Sequence, residues 1–223
     1  AFLSPLIIQN KSIGFVPTMG ALHQGHLSLL KNSLSENDVT VMSIFVNPTQ
    51  FNNAEDLDKY PRTLERDVQI MQDLSNNIIV YAPEVADIYE GNTISESFNY
   101  DGLENQMEGK HRPGHFDGVG TIVKRLFEIV QPNKAYFGEK DFQQLQIVKK
   151  LVSKHNIPVE VIGCPIHREA NGLAMSSRNE RLSESAREKA AIIYQILNSA
   201  KEIFQMNSAE QTIKFVENEF KKH

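Results

Sequence analysis

The 223 residues carry 23 Lys and Arg against 28 Asp and Glu, a formal net charge of −5, with 40% hydrophobic and 23% charged residues. That balance argues against nucleic acid as the main partner, and no apolar run approaches the roughly 18 residues of a membrane helix, so any anion site must be built locally. The single cysteine, Cys164, rules out an internal disulfide and fits a reducing compartment; within the apolar run 159–166 it reads as a small buried hydrophobe rather than a nucleophile.

The chain length predicts one main domain with a smaller appendage. The opening AFLSPLIIQNK lacks the basic region and long apolar core of a signal peptide, so a cytoplasmic location is expected. Residues 13–16, Ile-Gly-Phe-Val, read as a strand that meets Pro17, Gly20 and Gly25 before a helix over about 25–34. His23 and His26 fall in that turn. A helix N-terminus with two imidazoles and free backbone N–H groups is a place to hold a polyphosphate.

Residues 39–46 are β-branched and apolar, which predicts a buried parallel strand, and with the first strand and helix they make a right-handed βαβ unit. Ligands collect beyond the carboxyl ends of such strands, so the loops 18–26 and 47–51 should face each other. After a polar stretch over 52–61, Leu64, Val68, Met71 and Leu74 have helical spacing, and 78–81 form another short strand closed by Pro83. Little can be read from 84–100. The segment EGKHRPGHFDGVG, 108–120, has the composition of a functional loop before a helix over 119–130. A strand from Lys134 ending at Gly138, a helix over 142–155 and a strand over 158–166 complete an α/β sheet, parallel and covered on both faces. A boundary is expected near 165–180, giving domains 1–170 and 171–223; 183–204 and 208–222 then read as charged, amphipathic helices.

Polar residues cluster at the expected strand ends: His23 and His26, Asn47 and Gln50, Arg112 and His115, Lys140, Asp141 and Gln144, and Ser176, Ser177 and Arg178. Each has a plain alternative. A lysine after a strand is usually solvated, a glutamine usually lies on a helix surface, and Ser176 to Arg178 could be a helix cap and first turn. One topology nevertheless puts all of them at one rim of the sheet. A metal reading of His23, His26, His111 and His115 is disfavoured, because no Cys or acidic ligand backs the first pair and Arg112 would repel a dication beside the second. No phosphate-loop G-x4-G-K-[ST] and no G-x-S-x-G elbow occurs.

Six blocks carry a resemblance: PTMGALHQGH (17–26), FVNPTQF (45–51), YPRT (60–63), RPGHFDGV (112–119), GEKDFQQL (138–145) and GLAMSSRN (172–179). In this order they closely resemble the pantoate–β-alanine ligase family, whose H-x-G-H signature is similar to that of class I aminoacyl-tRNA synthetases. The resemblance implies a Rossmann-like domain, ATP with Mg²⁺, and a two-step ligation through pantoyl adenylate, with small-molecule substrates and a homodimeric assembly.

It assigns ATP contacts to Met19, Gly20, Ala21, Leu22, His23, Gln24, Gly25 and His26 in the phosphate turn, with His23 and His26 donating to the triphosphate and His26 as proton donor. Lys140 and Arg178, with Ser176 and Ser177, match groups that clamp the phosphates from the opposite side, so His26, His23, Lys140 and Arg178 form the implied catalytic set. Gly138, Glu139, Asp141, His167 and Met175 complete the nucleotide contacts, and Gln50 and Gln144 match the pantoate-binding pair. No metal ligands from the chain are implied. The pattern departs at Asn171, where the family has Asp, and the family's final β-rich stretch, part of a lid over the nucleotide, does not appear. Two other readings compete: a nucleotidyltransferase with a phosphate-bearing acceptor, which would want Arg or Lys in place of Gln50 and Gln144, and a nucleotide-binding module without turnover.

Overall fold

The computed structural model describes residues 3–223, which form two compact units meeting in sequence at Pro165 and Ile166. The first unit runs α1 (Ser4–Ile8), β1 (Ile13–Thr18), α2 (Gln24–Glu36), β2 (Val39–Ile44), α3 (Ala54–Asp58), α4 (Leu64–Leu74), β3 (Ile78–Tyr81), α5 (Val85–Tyr89), α6 (Met107–His111), α7 (His115–Val130), β4 (Lys134–Gly138), α8 (Phe142–Lys154) and β5 (Glu160–Cys164). All five strands are parallel, in the order β3-β2-β1-β4-β5. That is the doubly wound arrangement, with its reversal of strand order between β1 and β4.

Apolar residues on both sides of each strand explain why the sheet is buried on both faces. Phe15, Val41 and Phe137 pack with Val119, Val123, Phe127, Ile147 and Leu151 of α7 and α8. Val16, Met42 and Tyr136 pack on the other face with Leu29 and Leu30 of α2 and Met71 of α4. Phe15 is fully buried, and its truncation to Ala would cost about 3–5 kcal/mol. Cys164 is buried, its sulfur accepts from Asn32 Nδ2 at 3.4 Å, and burial pushes its thiol pKa up.

The two sides of β1 differ. Against β2 the register is continuous from Ile13↔Val39 to Thr18↔Ile44, whereas against β4 it covers only Gly14↔Lys134 and Phe15↔Ala135. The Ile13 carbonyl accepts from Asn133 on the β4 side, and the Thr18 carbonyl accepts from Phe45 on the β2 side. Pro17 is in phase with Ile13, so the N–H it lacks would have faced β4, beyond the point where that ladder stops. The ladder therefore stops before either strand ends, short of the loops after β1 and β4.

Several expectations need correction. Residues 108–120 are not one loop: α6 and the start of α7 occupy most of them, joined by Gly114 in the left-handed region at φ +76°. Gly118 and Gly120 look like helix breakers, but a Cβ at either would collide with the Thr49 carbonyl or the Tyr100 hydroxyl, so they let α7 approach its neighbours. The polar stretch 52–61 contains α3, capped by Asn53 Oδ1 accepting from Glu55 N–H at 2.8 Å.

The second unit holds a hairpin-like turn over 167–175, then α9 (Glu184–Ala190), α10 (Ile192–Phe204) and α11 (Ala209–Phe220). The single helical pattern read over 183–204 is thus two helices that meet at Ala191.

Candidate active site

The turn after β1 is built from internal hydrogen bonds. His23 is the N-cap of α2, and its Nδ1 accepts from Gly25 N–H at 3.1 Å. His26 answers with its own Nδ1, which accepts from His23 N–H at 3.3 Å. This is a capping box made of two histidines, with ring centroids 4.0 Å apart. Because each Nδ1 accepts from a backbone donor, each neutral ring carries its proton on Nε2. Burial first, then the charges of His23 and Lys140, lower the His26 pKa to about 3, so this imidazole is neutral near pH 7 and donates as Nε2–H.

Asp67 of α4 holds the turn from below. It is fully buried; its Oδ2 accepts from Ala21 N–H at 2.9 Å, and its Oδ1 accepts from Leu22 N–H at 2.8 Å and from Thr63 Oγ1 at 3.2 Å. Gly20 at φ +83° and Ala21 at φ +52° are left-handed, a conformation costly for Ala that the carboxylate's two bonds help to fix. Gly20 N–H donates to Thr18 Oγ1 at 3.2 Å. The expectation of free amides in this turn therefore fails: the N–H groups of Gly20, Ala21, Leu22, His23 and Gly25 are engaged within the protein. The other polar groups at this rim are the imidazoles of His23 and His26 and the Lys140 ammonium. Asp67 escaped the sequence reading because one Asp among the charges of 55–73 carries no local signal.

The loop after β2 meets this turn as expected, with Gln50 Nε2 lying 3.1 Å from Met19 Sδ. Asn47 is buried; its Nδ2 donates to the Gly118 carbonyl at 3.1 Å and to Gln50 Oε1 at 3.2 Å. The Gln50 carbonyl accepts from His115 Nδ1 at 2.8 Å and from Arg112 Nη2 at 3.1 Å. Arg112 and His115 thus hold the backbone of Gln50, and His115 carries its proton on Nδ1, the opposite tautomer to His23 and His26. His111 is exposed on α6.

Beyond β4, Glu139, Lys140 and Asp141 form an exposed single turn in which Lys140 Nζ lies 3.0 Å from Asp141 Oδ1. An added Cβ at Gly138 would meet no atom within 4 Å, so packing does not require glycine there. Gln144 is half-buried on the first turn of α8, and Gln24 is exposed at the start of α2. The first unit thus gathers Met19, His23, His26, Gln50 and Lys140 at the carboxyl ends of β1, β2 and β4.

The remaining candidates belong to the second unit. His167 is exposed, and its carbonyl accepts from Met175 N–H at 3.0 Å. Asn171 Oδ1 accepts from Leu173 N–H at 3.0 Å beside Gly172 at φ +92°, a turn that Asp would make equally well. Ser176 caps the turn Ser177–Arg181 by accepting from Arg178 N–H at 3.3 Å; Ser177 is buried and Arg178 exposed. Glu169 receives a bidentate pair from Arg187 at 2.8 and 2.9 Å and ties the turn to α9. Among the described residues no group of three or more His, Cys, Asp or Glu side chains could hold a metal ion, and no helix is long and apolar enough to cross a membrane.

The model of the pantoate-beta-alanine ligase family matches residues 3–223. A pantothenate synthetase of Flavobacterium psychrophilum is 67% identical over 98% of this chain and 78% of its own length. A crystal structure of pantothenate synthetase from Thermus thermophilus is similar at 44% identity and a TM-score of 0.89, covering 95% of this chain and 76% of that one. A pantoate-beta-alanine ligase from Francisella tularensis, complexed with beta-gamma ATP and beta-alanine, is similar at 41% identity and a TM-score of 0.77, covering 95% and 79%.

Proposed function

The chain belongs to the pantoate-beta-alanine ligase family, and on that premise we propose how its residues carry out the ATP-dependent condensation of pantoate with β-alanine. The pantoate carboxylate attacks the α-phosphorus of ATP, the bond to the β-phosphate oxygen breaks, and pyrophosphate leaves. The β-alanine amine then attacks the carbonyl of pantoyl adenylate. Its C–O bond to phosphate breaks, AMP departs, and the new amide loses the amine proton.

The substrate brings its own nucleophile, so the protein's work is alignment and charge stabilisation. The observation that carries this reading is the paired histidine cap, which presents two Nε2–H donors near Lys140. His23, His26 and Lys140 stabilise the charge that builds on the phosphates. Gln50 and Gln144 hold pantoate through uncharged amides, which leave its carboxylate nucleophilic. Met19, Gly20, Ala21, Leu22, Gln24 and Gly25 shape the phosphate turn, with Ala21 and Leu22 contributing surface rather than amide donors. Gly138, Glu139 and Asp141 lie against the nucleotide ribose side. On the second unit, the hydroxyls of Ser176 and Ser177 and the guanidinium of Arg178 are groups suited to phosphate, and the family resemblance assigns base recognition to the backbone of His167 and to Met175.

Mg²⁺ fits this scheme as a passenger on the triphosphate. The side chains gathered at the turn are imidazoles and a lysine, which suit phosphate oxygens rather than Mg²⁺, and among the described residues no group of three or more His, Cys, Asp or Glu is placed to hold an ion. The family relationship also supports a homodimer, and the single buried thiol fits a cytoplasmic setting. ATP–pyrophosphate exchange tests the chemistry. Exchange that requires pantoate but not β-alanine is expected; its absence with pantoate would remove the adenylating step.

A further inference from the structure

The side-chain amide of Gln50 has a fixed direction, and the groups that fix it are traceable. The Gly118 carbonyl can only accept. The Asn47 atom 3.1 Å from it must therefore be the amide nitrogen, which also donates to Gln50 Oε1. Asn47 Oδ1 then points the other way, where the Tyr89 hydroxyl donates to it at 2.5 Å and Thr49 Oγ1 lies at 3.2 Å. The two hydroxyls are 2.9 Å apart. Tyr89 is 2% exposed and Asn47 1%, so water does not compete for these bonds. Burial raises the Tyr89 pKa, which keeps the hydroxyl a donor, and the Arg125 guanidinium stacks 4.8 Å from its ring. With Oε1 taken from behind, Gln50 offers N–H donors toward Met19 and the β1 turn.

We infer that Tyr89, through Asn47, is a positioning residue that sets Gln50 as a hydrogen-bond donor for the acceptor oxygens of the hydroxy-acid substrate. The inference deepens the pantoate-binding role proposed for Gln50 and rests on it. Tyr89 touches no reacting atom. Without its hydroxyl, Asn47 Oδ1 keeps only the longer Thr49 contact, and the amide that excludes the Gln50 carbonyl from the substrate side is held less firmly. A flipped amide would put oxygen against oxygen.

The test is steady-state kinetics of the full chain with Tyr89→Phe and, separately, Thr49→Val, which removes the second hydroxyl at the same Asn47 oxygen. For each variant kcat/KM for pantoate is expected to fall about fivefold, the value of one neutral hydrogen bond, through a higher KM for pantoate. The KM for ATP should stay within about twofold. An unchanged pantoate KM in both variants would overturn the relay, and so would equal shifts in the pantoate and ATP terms, since a general packing defect has no reason to select one substrate. Pantoate-dependent exchange by the unaltered chain is measured alongside, so loss of the parent reading is seen in that control and not in the variants.

Discussion

The loops after β1 and β2 touch each other but are held by opposite chemistry. Behind the histidine turn stands a fully buried carboxylate, Asp67, that consumes two backbone donors. Behind Gln50 stands a neutral chain of hydroxyl and amide groups ending on a backbone carbonyl. The difference matches what each loop presents. The Asp67 carboxylate beneath the first turn takes up the Ala21 and Leu22 amides, so on the proposed reading its anion-facing surface is set by side chains, and the second loop gives direction without charge, because a cation beside the substrate carboxylate would quiet the nucleophile.

This contrast can be broken experimentally. His26→Ala or Lys140→Ala should lower the exchange rate by about 10²–10³, the usual loss for one transition-state donor. Near-normal adenylate formation in both would take the first loop out of the chemistry. Asp67→Asn keeps the shape but sets an amide NH₂ against a backbone N–H. It should lower stability by about 1–3 kcal/mol, read as a denaturant midpoint, and reduce kcat/KM for ATP more than that for pantoate. A pantoate-selective defect would reverse the division between the loops.

Gly138→Ala separates packing from binding more finely. The added methyl meets no protein atom, so the melting temperature should hold or rise slightly, while the KM for ATP rises several-fold if the nucleotide lies against that residue. A further test concerns pH. An unfolded imidazole titrates near 6.5 and His26 in the fold at about 3, so between those values the unfolded state binds the extra proton. Stability should therefore fall as pH drops from 6.5 toward 3, with no contribution above 7. Urea midpoints of His26→Asn should show a shallower pH slope than those of the unaltered chain.

The sheet was legible because strands such as 13–16 and 39–44 are apolar on both faces and the helices between them are periodic. The helical start of α7 was hidden by three glycines: Gly114 supplies the left-handed link before it, and Gly118 and Gly120 allow close approach to other segments, which local composition does not carry. His23, His26, Gln50 and Lys140 could be placed at one rim from strand order alone. Asp67 and Tyr89 could not: their partners are 45 and 42 residues away, and neither sits in a motif. Asn47 was visible as a candidate, but its task became clear only with the Gly118 carbonyl beside it.

Pro17 has a consequence for how the site is reached. A central strand with a complete set of donors could zip to β4 along its whole length, and admitting a nucleotide would then mean peeling two strands apart. The pyrrolidine ring acts as a stop on that zipper, written into covalent chemistry and independent of ligand, temperature or salt. The β1–β4 ladder ends at Phe15 and Ala135, so a triphosphate seated beyond it, as proposed, breaks none of the ladder's backbone hydrogen bonds.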